Sequence, residues 1–140
     1  MTDGLDQALA STALNLLAQD GLSPALVVYD GVVPSPDPGP PYVLVYCFID
    51  RPSDDPDNSI DMRSRVWVTR WYCHCVGATA ASARAIAERV RTQLLDVHPV
   101  IAGLSCGSIR LEQSQIPIRD EKTGVLVMDL VEVYRLRATS

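Results

Sequence analysis

The sequence predicts an α+β fold in which two amphipathic helices pack on one face of a mostly antiparallel sheet of about four to five strands. Three observations lead to this prediction. The elements follow the order helix, strand, strand, strand, helix, strand, strand. Several neighbouring strands are joined by connections too short for a helical crossover, and both helical segments carry apolar stripes. Residues 1–140 are expected to form one domain, because this length is usual for one.

The first half of the chain is predicted to contain one helix and three strands. The helix covers residues 3–19, where leucines recur at helical spacing, and Gly21 is placed to end it. The strands cover residues 25–29, 42–49 and 65–76. The second strand is apolar on both faces, which indicates a central position in the sheet.

The second half is predicted to contain a helix and two strands. Residues 80–96 carry the clearest apolar stripe of the chain, and Thr79 precedes them as an N-cap. The remaining segments are a linker at residues 100–107, a strand at 108–116, a turn cluster at 120–124 and a final strand at 125–137.

Two long loops separate the first three strands. Residues 32–41 contain five prolines, which favours a stiff, extended segment. Residues 50–61 contain five aspartates and raise the question of calcium binding. Their spacing differs from that of a calcium loop and prolines interrupt it, so an acidic surface loop is the favoured interpretation.

Charge and composition disfavour several classes of function. The formal net charge is −5, whereas proteins that bind by neutralising phosphates concentrate Lys and Arg. Aromatic residues make up 6% of the chain and do not alternate with basic residues, which disfavours stacking on single-stranded nucleic acid. The acidic start lacks the pattern of a signal peptide, so a cytosolic setting with reduced cysteines is expected. The apolar runs are too short to span a membrane.

Residues 71–75, Trp-Tyr-Cys-His-Cys, are the most suggestive stretch for chemistry. Cys73 and Cys75 supply only two ligands of a possible zinc site, and Cys47, Cys106 or His98 would have to converge on them. Packing of these cysteines as small buried residues is the favoured interpretation, and no metal or cofactor is expected.

No catalytic constellation stands out. His98 and Cys106 are close enough in sequence to meet, yet a loop histidine and a packed cysteine are favoured. The chain lacks the phosphate-binding, zinc-protease and nucleophile-elbow motifs, so it is not expected to be an enzyme. Trp67 and Trp71 share a strand face and are predicted to lie in the core.

The order of the elements carries a resemblance to a known family. The segments concerned are the leucine-rich first helix and residues 29–31, 41–46, 66–73, 83–90, 109–112 and 127–134. In this order and at this chain length, they make the chain resemble the tail-terminator (tail-completion) proteins of long-tailed bacteriophages. The resemblance covers nearly the full length.

The resemblance implies a structural protein of the virion. Such a subunit forms a hexameric ring at the head-proximal end of the tail tube, ends tube growth and provides the surface for head-neck attachment. Its partners are sister copies, the major tail tube protein and the head-neck connector. Viral DNA passes through the lumen without specific binding, and assembly takes place in the host cytoplasm away from the membrane.

Contacts with these partners are expected in the long loops and in the turn before the final strand. The candidate interface residues are Pro36, Asp37, Pro38, Asp54, Asp55, Asp57, Asp120, Glu121 and Lys122. The long final strand is a candidate for an exposed edge that a sister copy covers. Two alternatives stay open: a head-side neck or head-closure subunit, and a small cysteine-based metal-binding protein.

Overall fold

A computed structural model describes residues 2–19, 21, 25–36, 38–51, 65–120 and 127–140. Within these ranges the chain forms two helices and seven strands. The helices are α1 (Thr2–Ala18) and α2 (Ala80–Leu94). The strands are β1 (Val28–Asp30), β2 (Tyr42–Asp50), β3 (Val66–Gly77), β4 (Ser105–Cys106), β5 (Arg110–Ser114), β6 (Ile118–Asp120) and β7 (Val127–Thr139).

The strands form one mixed sheet in the order β1-β2-β3-β7-β4, and β5 and β6 also pair with β7. β1 runs parallel to β2, and every other described strand pair is antiparallel. The predicted α+β class is therefore confirmed, whereas the predicted strand number is too low. β4 lies in the segment predicted to be a linker, and β6 ends at Asp120, which was predicted to begin a turn.

The final strand is central rather than an exposed edge, so the prediction of an edge at residues 125–137 is wrong. Residues 128–139 of β7 pair with β3 on one side. Its other side is covered in turn by β6, β5 and β4. The physical reason is that three short strands, none longer than five residues, together satisfy the second edge of a 13-residue strand.

The predicted central position of β2 holds for only part of the strand. Among the described residues, β3 pairs along the whole of β2, whereas β1 pairs only with the residues from Val43 to Val45. Burial at a central position of the sheet therefore does not account for all the apolar residues of β2. Tyr46 and Phe48 are 44% and 55% exposed on the face that points away from the helices.

The core lies between the helices and one face of the sheet. Trp67 and Trp71 are buried on this face, which confirms their predicted place in the core, and Cys73 and Cys75 are fully buried beside them. The apolar stripe of α2 packs on the same layer through Ala83, Ile86, Ala87, Val90 and Leu94. Burial of each large apolar side chain contributes about 1.5–3 kcal/mol, so this layer is the main source of stability.

The start of α2 is fixed by a cap and by a close backbone approach. The Thr79 hydroxyl accepts a hydrogen bond from the amide of Ser82 at 3.1 Å, as predicted for an N-cap. Gly77, the last residue of β3, passes so close to the helix that a Cβ atom would lie 2.6 Å from the amide nitrogen of Ala83. The sharp turn from β3 into α2 therefore depends on glycine at this position.

Neither helix of the described residues combines the length and apolar character needed to cross a membrane.

Candidate functional site

The face of the sheet opposite the helices is the first candidate surface. Strand alternation places Tyr46 and Phe48 of β2 on it, beside Arg70 and Tyr72 of β3 and Arg135 of β7. Open sheet faces of antiparallel sheets are normally polar. This one combines exposed aromatic side chains with arginines, which is a composition suited to protein interfaces.

Three arginines lie side by side across this face. Arg135 is the register partner of Arg70 in β3 and of Arg110 in β5. Like charges directly opposite on neighbouring strands destabilise a sheet. Glu112 offsets part of this repulsion, because Arg70 donates to its carboxylate from Nε at 2.8 Å and from Nη2 at 3.3 Å. Arg110 reaches Asp96 at 2.5 Å.

The hydrogen bond from Arg70 lowers the pKa of Glu112, and the charges of Arg70 and Arg135 act in the same direction. A bulge between Leu111 and Gln113 turns β5 at this residue. Glu112 lies two residues after Arg110, so strand alternation places it on the face that carries Arg70.

Residues that are register partners on neighbouring strands form a row across the sheet. One such row ends in an exposed apolar residue at each edge. In the middle of the row Tyr42 pairs with Val76, Val76 pairs with Asp129, and Asp129 pairs with Ile118. At the other end Val27 lies beside Tyr42, because its carbonyl accepts a hydrogen bond from the amide of Val43 at 2.8 Å. Val27 is 43% exposed and Ile118 is 54% exposed.

The surface next to Val27 is concave. A cavity of about 220 Å³ is lined by Ala25, Leu26, Val27, Pro41, Ile86 and Arg89. Its walls come from the segment before β1, the start of β2 and α2. The cavity is smaller than the roughly 300–1,000 Å³ of typical small-molecule pockets, so it is better matched to protruding side chains.

The helix side of the molecule carries an ion pair between a buried carboxylate and an arginine that is 43% exposed. Glu132 of β7 is fully buried, and Arg91 of α2 donates to both of its carboxylate oxygens. The same arginine, with Glu88, Thr92 and Leu95, lines an open polar cleft along α2.

Burial makes the thiols poor nucleophiles near neutral pH. Burial raises the pKa of Cys73 to about 12 and that of Cys47 to about 11, with nearby acidic groups adding to the effect. Burial likewise raises the pKa of Cys75 and of Cys106. A cysteine nucleophile must be a thiolate, and these pKa values disfavour the thiolate near neutral pH.

The suggestive histidines and cysteines do not form a common site in the described part of the chain. The ring of His74 contacts Asp129 at 2.9 Å on the open face, away from the buried thiols of Cys73 and Cys75. His98 is exposed, whereas Cys106 is buried in β4. Across the described residues, no group of three or more His, Cys, Asp or Glu side chains is placed to hold a metal ion.

The predicted interface residues are only partly within the described structure. Pro36 and Pro38 are exposed in the connection between β1 and β2, and Asp120 is the last residue of β6. Val33 of the same connection packs with a cluster that contains Val127, the register partner of Asp120, so the connection reaches across the sheet towards β7. The other predicted residues lie outside the described ranges: Asp37, Asp54, Asp55, Asp57, Glu121 and Lys122.

Sequence reasoning missed two features of the surface. The arginine row depends on strand register, which the sequence does not display. The exposed residues Ile116 and Ile118 flank Pro117, and a proline within an apolar run is a weak signal for an edge strand.

The fold is shared with a protein chain of known structure. That chain is part of a structure described as the virion of a native gene transfer agent (GTA) particle. The two chains are 23% identical, the match covers 96% of this chain and 97% of that chain, and the TM-score is 0.74. No protein-family model matches the chain, and no curated protein matches it in sequence. At this level of identity the likeness establishes the common fold.

Proposed function

We propose that this chain is a structural subunit of a phage-type particle and acts as a tail terminator. In this role it forms a ring at the head-proximal end of the tail tube, ends growth of the tube and provides the surface for head-neck attachment. One observation carries the proposal: the chain shares its fold, over nearly its whole length and that of its counterpart, with a chain of a GTA virion.

The surface of the molecule supports an assembly role. Rings are built from heterologous interfaces, in which two different patches of the subunit meet. The sheet offers two different edges, β1 on one side and the β4, β5 and β6 segments on the other. Within the described residues the helices pack mainly on one face of the sheet, so these two edges are the candidate contacts with neighbouring copies.

The chemistry of the described residues is also consistent with a structural part. Raised pKa values keep the thiols protonated near neutral pH, and the ion pair between Arg91 and the buried Glu132 links two elements of the fold. We therefore assign no catalytic step to the chain. The expected partners are sister copies, the tail tube protein and the head-neck connector, with viral DNA passing through the lumen.

The decisive experiment follows growth of tail tubes. The major tail tube protein encoded by the same genome is polymerised with and without this chain, and tube lengths are measured by negative-stain electron microscopy. Fresh tube protein is then added to both samples. We expect tubes made with the chain to carry a ring at one end and to stop elongating there.

Two results would contradict the terminator role. Tubes that elongate equally at both ends, with no chain bound, would exclude the terminator role. If the chain does not bind tube ends and binds the portal-side connector instead, it is a subunit of the head side of the neck. Metal analysis of the purified chain tests the remaining alternative, since one equivalent of zinc per chain would favour a metal-binding protein.

A further inference from the structure

The two exposed residues at the ends of the sheet row, Val27 and Ile118, are the starting point. They lie on opposite edges but at the same level along the strands, because the row Tyr42, Val76, Asp129 connects them. Five strands separated by about 4.8 Å place them roughly 19 Å apart. Within one molecule these residues are therefore too far apart to touch.

The two edges have complementary shapes. On the β1 side, Leu26, Val27, Pro41 and Ile86 line the cavity of about 220 Å³. On the β6 side, Ile118 protrudes from a three-residue strand, and the neighbouring Ile116 is 78% exposed. A protruding isoleucine and an apolar cavity of this size are a matched pair, since burial of apolar surface is the main driving force of association.

The charges beside the two features are also complementary. Arg89 contributes to the wall of the cavity. Asp120 lies two residues after Ile118, so strand alternation places both side chains on the same face of β6, while Arg119 points to the other face. A second copy that docks Ile118 into the cavity would bring an acidic side chain near a basic one, in addition to the partners that Asp120 and Arg89 have within their own chain.

We infer that the β6 edge of one copy docks against the β1 edge of the next, with Ile118 inserted into the cavity beside Val27. The inference rests on the proposed ring-forming function and names the interface that builds the ring. The contact is heterologous because Ile118 and the cavity belong to different edges of the sheet. Since both lie at the same level along the strands, the contact needs little offset between successive copies in the strand direction.

Engineered cysteines test this contact directly. A disulfide requires Cα atoms about 4.4–6.8 Å apart, so a bond between positions 27 and 118 must join two copies. Copies carrying Val27→Cys are mixed with copies carrying Ile118→Cys and oxidised. We expect a covalent dimer from the mixture and none above background from either variant alone. The double variant should give a ladder that ends in a covalent ring.

Controls separate this contact from chance collisions. The unsubstituted chain gives the background from its four native cysteines. Pairing Val27→Cys with Val100→Cys provides a matched geometry control, because Val100 is 97% exposed and lies outside the row. Equal cross-linking of this control, or a dimer from Ile118→Cys alone, would overturn the inference.

A charge substitution gives an independent measurement. Ile118→Glu should raise the protein concentration at half-assembly by about tenfold or more, as for a central anchor residue. Val100→Glu adds the same charge to another exposed apolar position and should leave assembly unchanged. Circular dichroism verifies that both variants are folded. A native chain that stays monomeric at every concentration would contradict the inference.

The outcomes distinguish the interface from the function. Rings that form and cap tubes without a bond between positions 27 and 118 would overturn this interface and leave the proposed function standing. A covalent ring that has no effect on tube growth would retain the interface and overturn the terminator role.

Discussion

Arg91 of α2 binds the fully buried carboxylate of Glu132 through one nitrogen, Nη2, at 3.0 Å to Oε1 and 2.9 Å to Oε2. Glu132 belongs to β7, the strand around which the sheet is organised. The pair therefore connects the second helix to the centre of the fold. A buried charge of this kind is tolerated only while its partner is present.

Replacement of Arg91 by methionine is expected to destabilise the fold by about 3 kcal/mol, because it leaves the Glu132 charge buried and unpaired. The free energy of unfolding is measured by urea denaturation. The double variant Arg91→Met, Glu132→Leu should recover much of the loss, since neither charge is then left alone. Additive losses in the double-mutant cycle would contradict this account of the pair.

Replacement of Glu112 by glutamine should make stability less dependent on pH on the acid side. Hydrogen bonding by Arg70 lowers the pKa of Glu112 in the folded state, so ionised Glu112 stabilises the fold above its unfolded pKa of about 4.3. This contribution is lost as the pH falls through the lower, folded pKa. At pH 7 we expect a cost of about 0.5–1 kcal/mol, because the pair is partly exposed.

Urea denaturation between pH 3 and about pH 7 measures the difference in the free energy of unfolding between the unsubstituted chain and Glu112→Gln. This difference should shrink towards the acid end. Arg70→Gln provides the matched background, because it removes the main cause of the lowered pKa. In that background Glu112→Gln should have a smaller effect at neutral pH. A cost that is the same at every pH would show that the ion pair is not responsible.

Replacement of Gly77 by alanine should destabilise the fold by roughly 2 kcal/mol, a usual cost of forcing extra atoms into a packed site. The new Cβ atom would lie 2.6 Å from the Ala83 amide nitrogen and 2.7 Å from the Ser82 hydroxyl, so the start of α2 must shift. Gly4→Ala is the matched control in α1, where a Cβ atom meets nothing within 4 Å. Thermal unfolding should show a lower Tm for Gly77→Ala only.

The elements with strong local signals were predictable from the sequence. α2 was predicted at residues 80–96 and is found at Ala80–Leu94, because an N-cap and a long apolar stripe mark it. β3 was predicted at 65–76 and is found at Val66–Gly77. β4 and β6 were missed, since two or three residues are too few to show any periodicity. They are strands because β7 supplies their hydrogen-bonding partners.

The candidate surfaces were less predictable, because they depend on which strands become neighbours. The alignment of Arg70, Arg135 and Arg110 follows from the registers of β3, β7 and β5. The shared level of Val27 and Ile118 follows from four strand pairings. The sequence predicts an interface in the loops, where unusual composition is visible, and that interface stays a prediction. The apolar residues that the fold brings to the sheet edges have no such signal in the sequence.

The native cysteines should differ sharply in reactivity. Cys47 is partly exposed, and its pKa is raised to about 11 by burial first and then by the charges of Asp30 and Asp6. Its thiolate fraction at pH 8 is therefore about one in a thousand, and labelling by iodoacetamide should accelerate about tenfold per pH unit towards pH 11. Cys73 and Cys75 are fully buried and should be labelled only after unfolding.

Mass spectrometry of the labelled, digested protein assigns each rate to one cysteine, and labelling in denaturant gives the count of four thiols. Asp30→Asn removes one negative charge that raises the pKa of Cys47, so it should speed labelling of that residue at a fixed pH. Glu88→Gln, on the exposed side of α2, removes the same charge elsewhere and should leave the rate unchanged. Equal labelling rates for Cys47 and Cys73 in the native protein would show that the sheet beneath the helices opens readily, which contradicts a rigid subunit core.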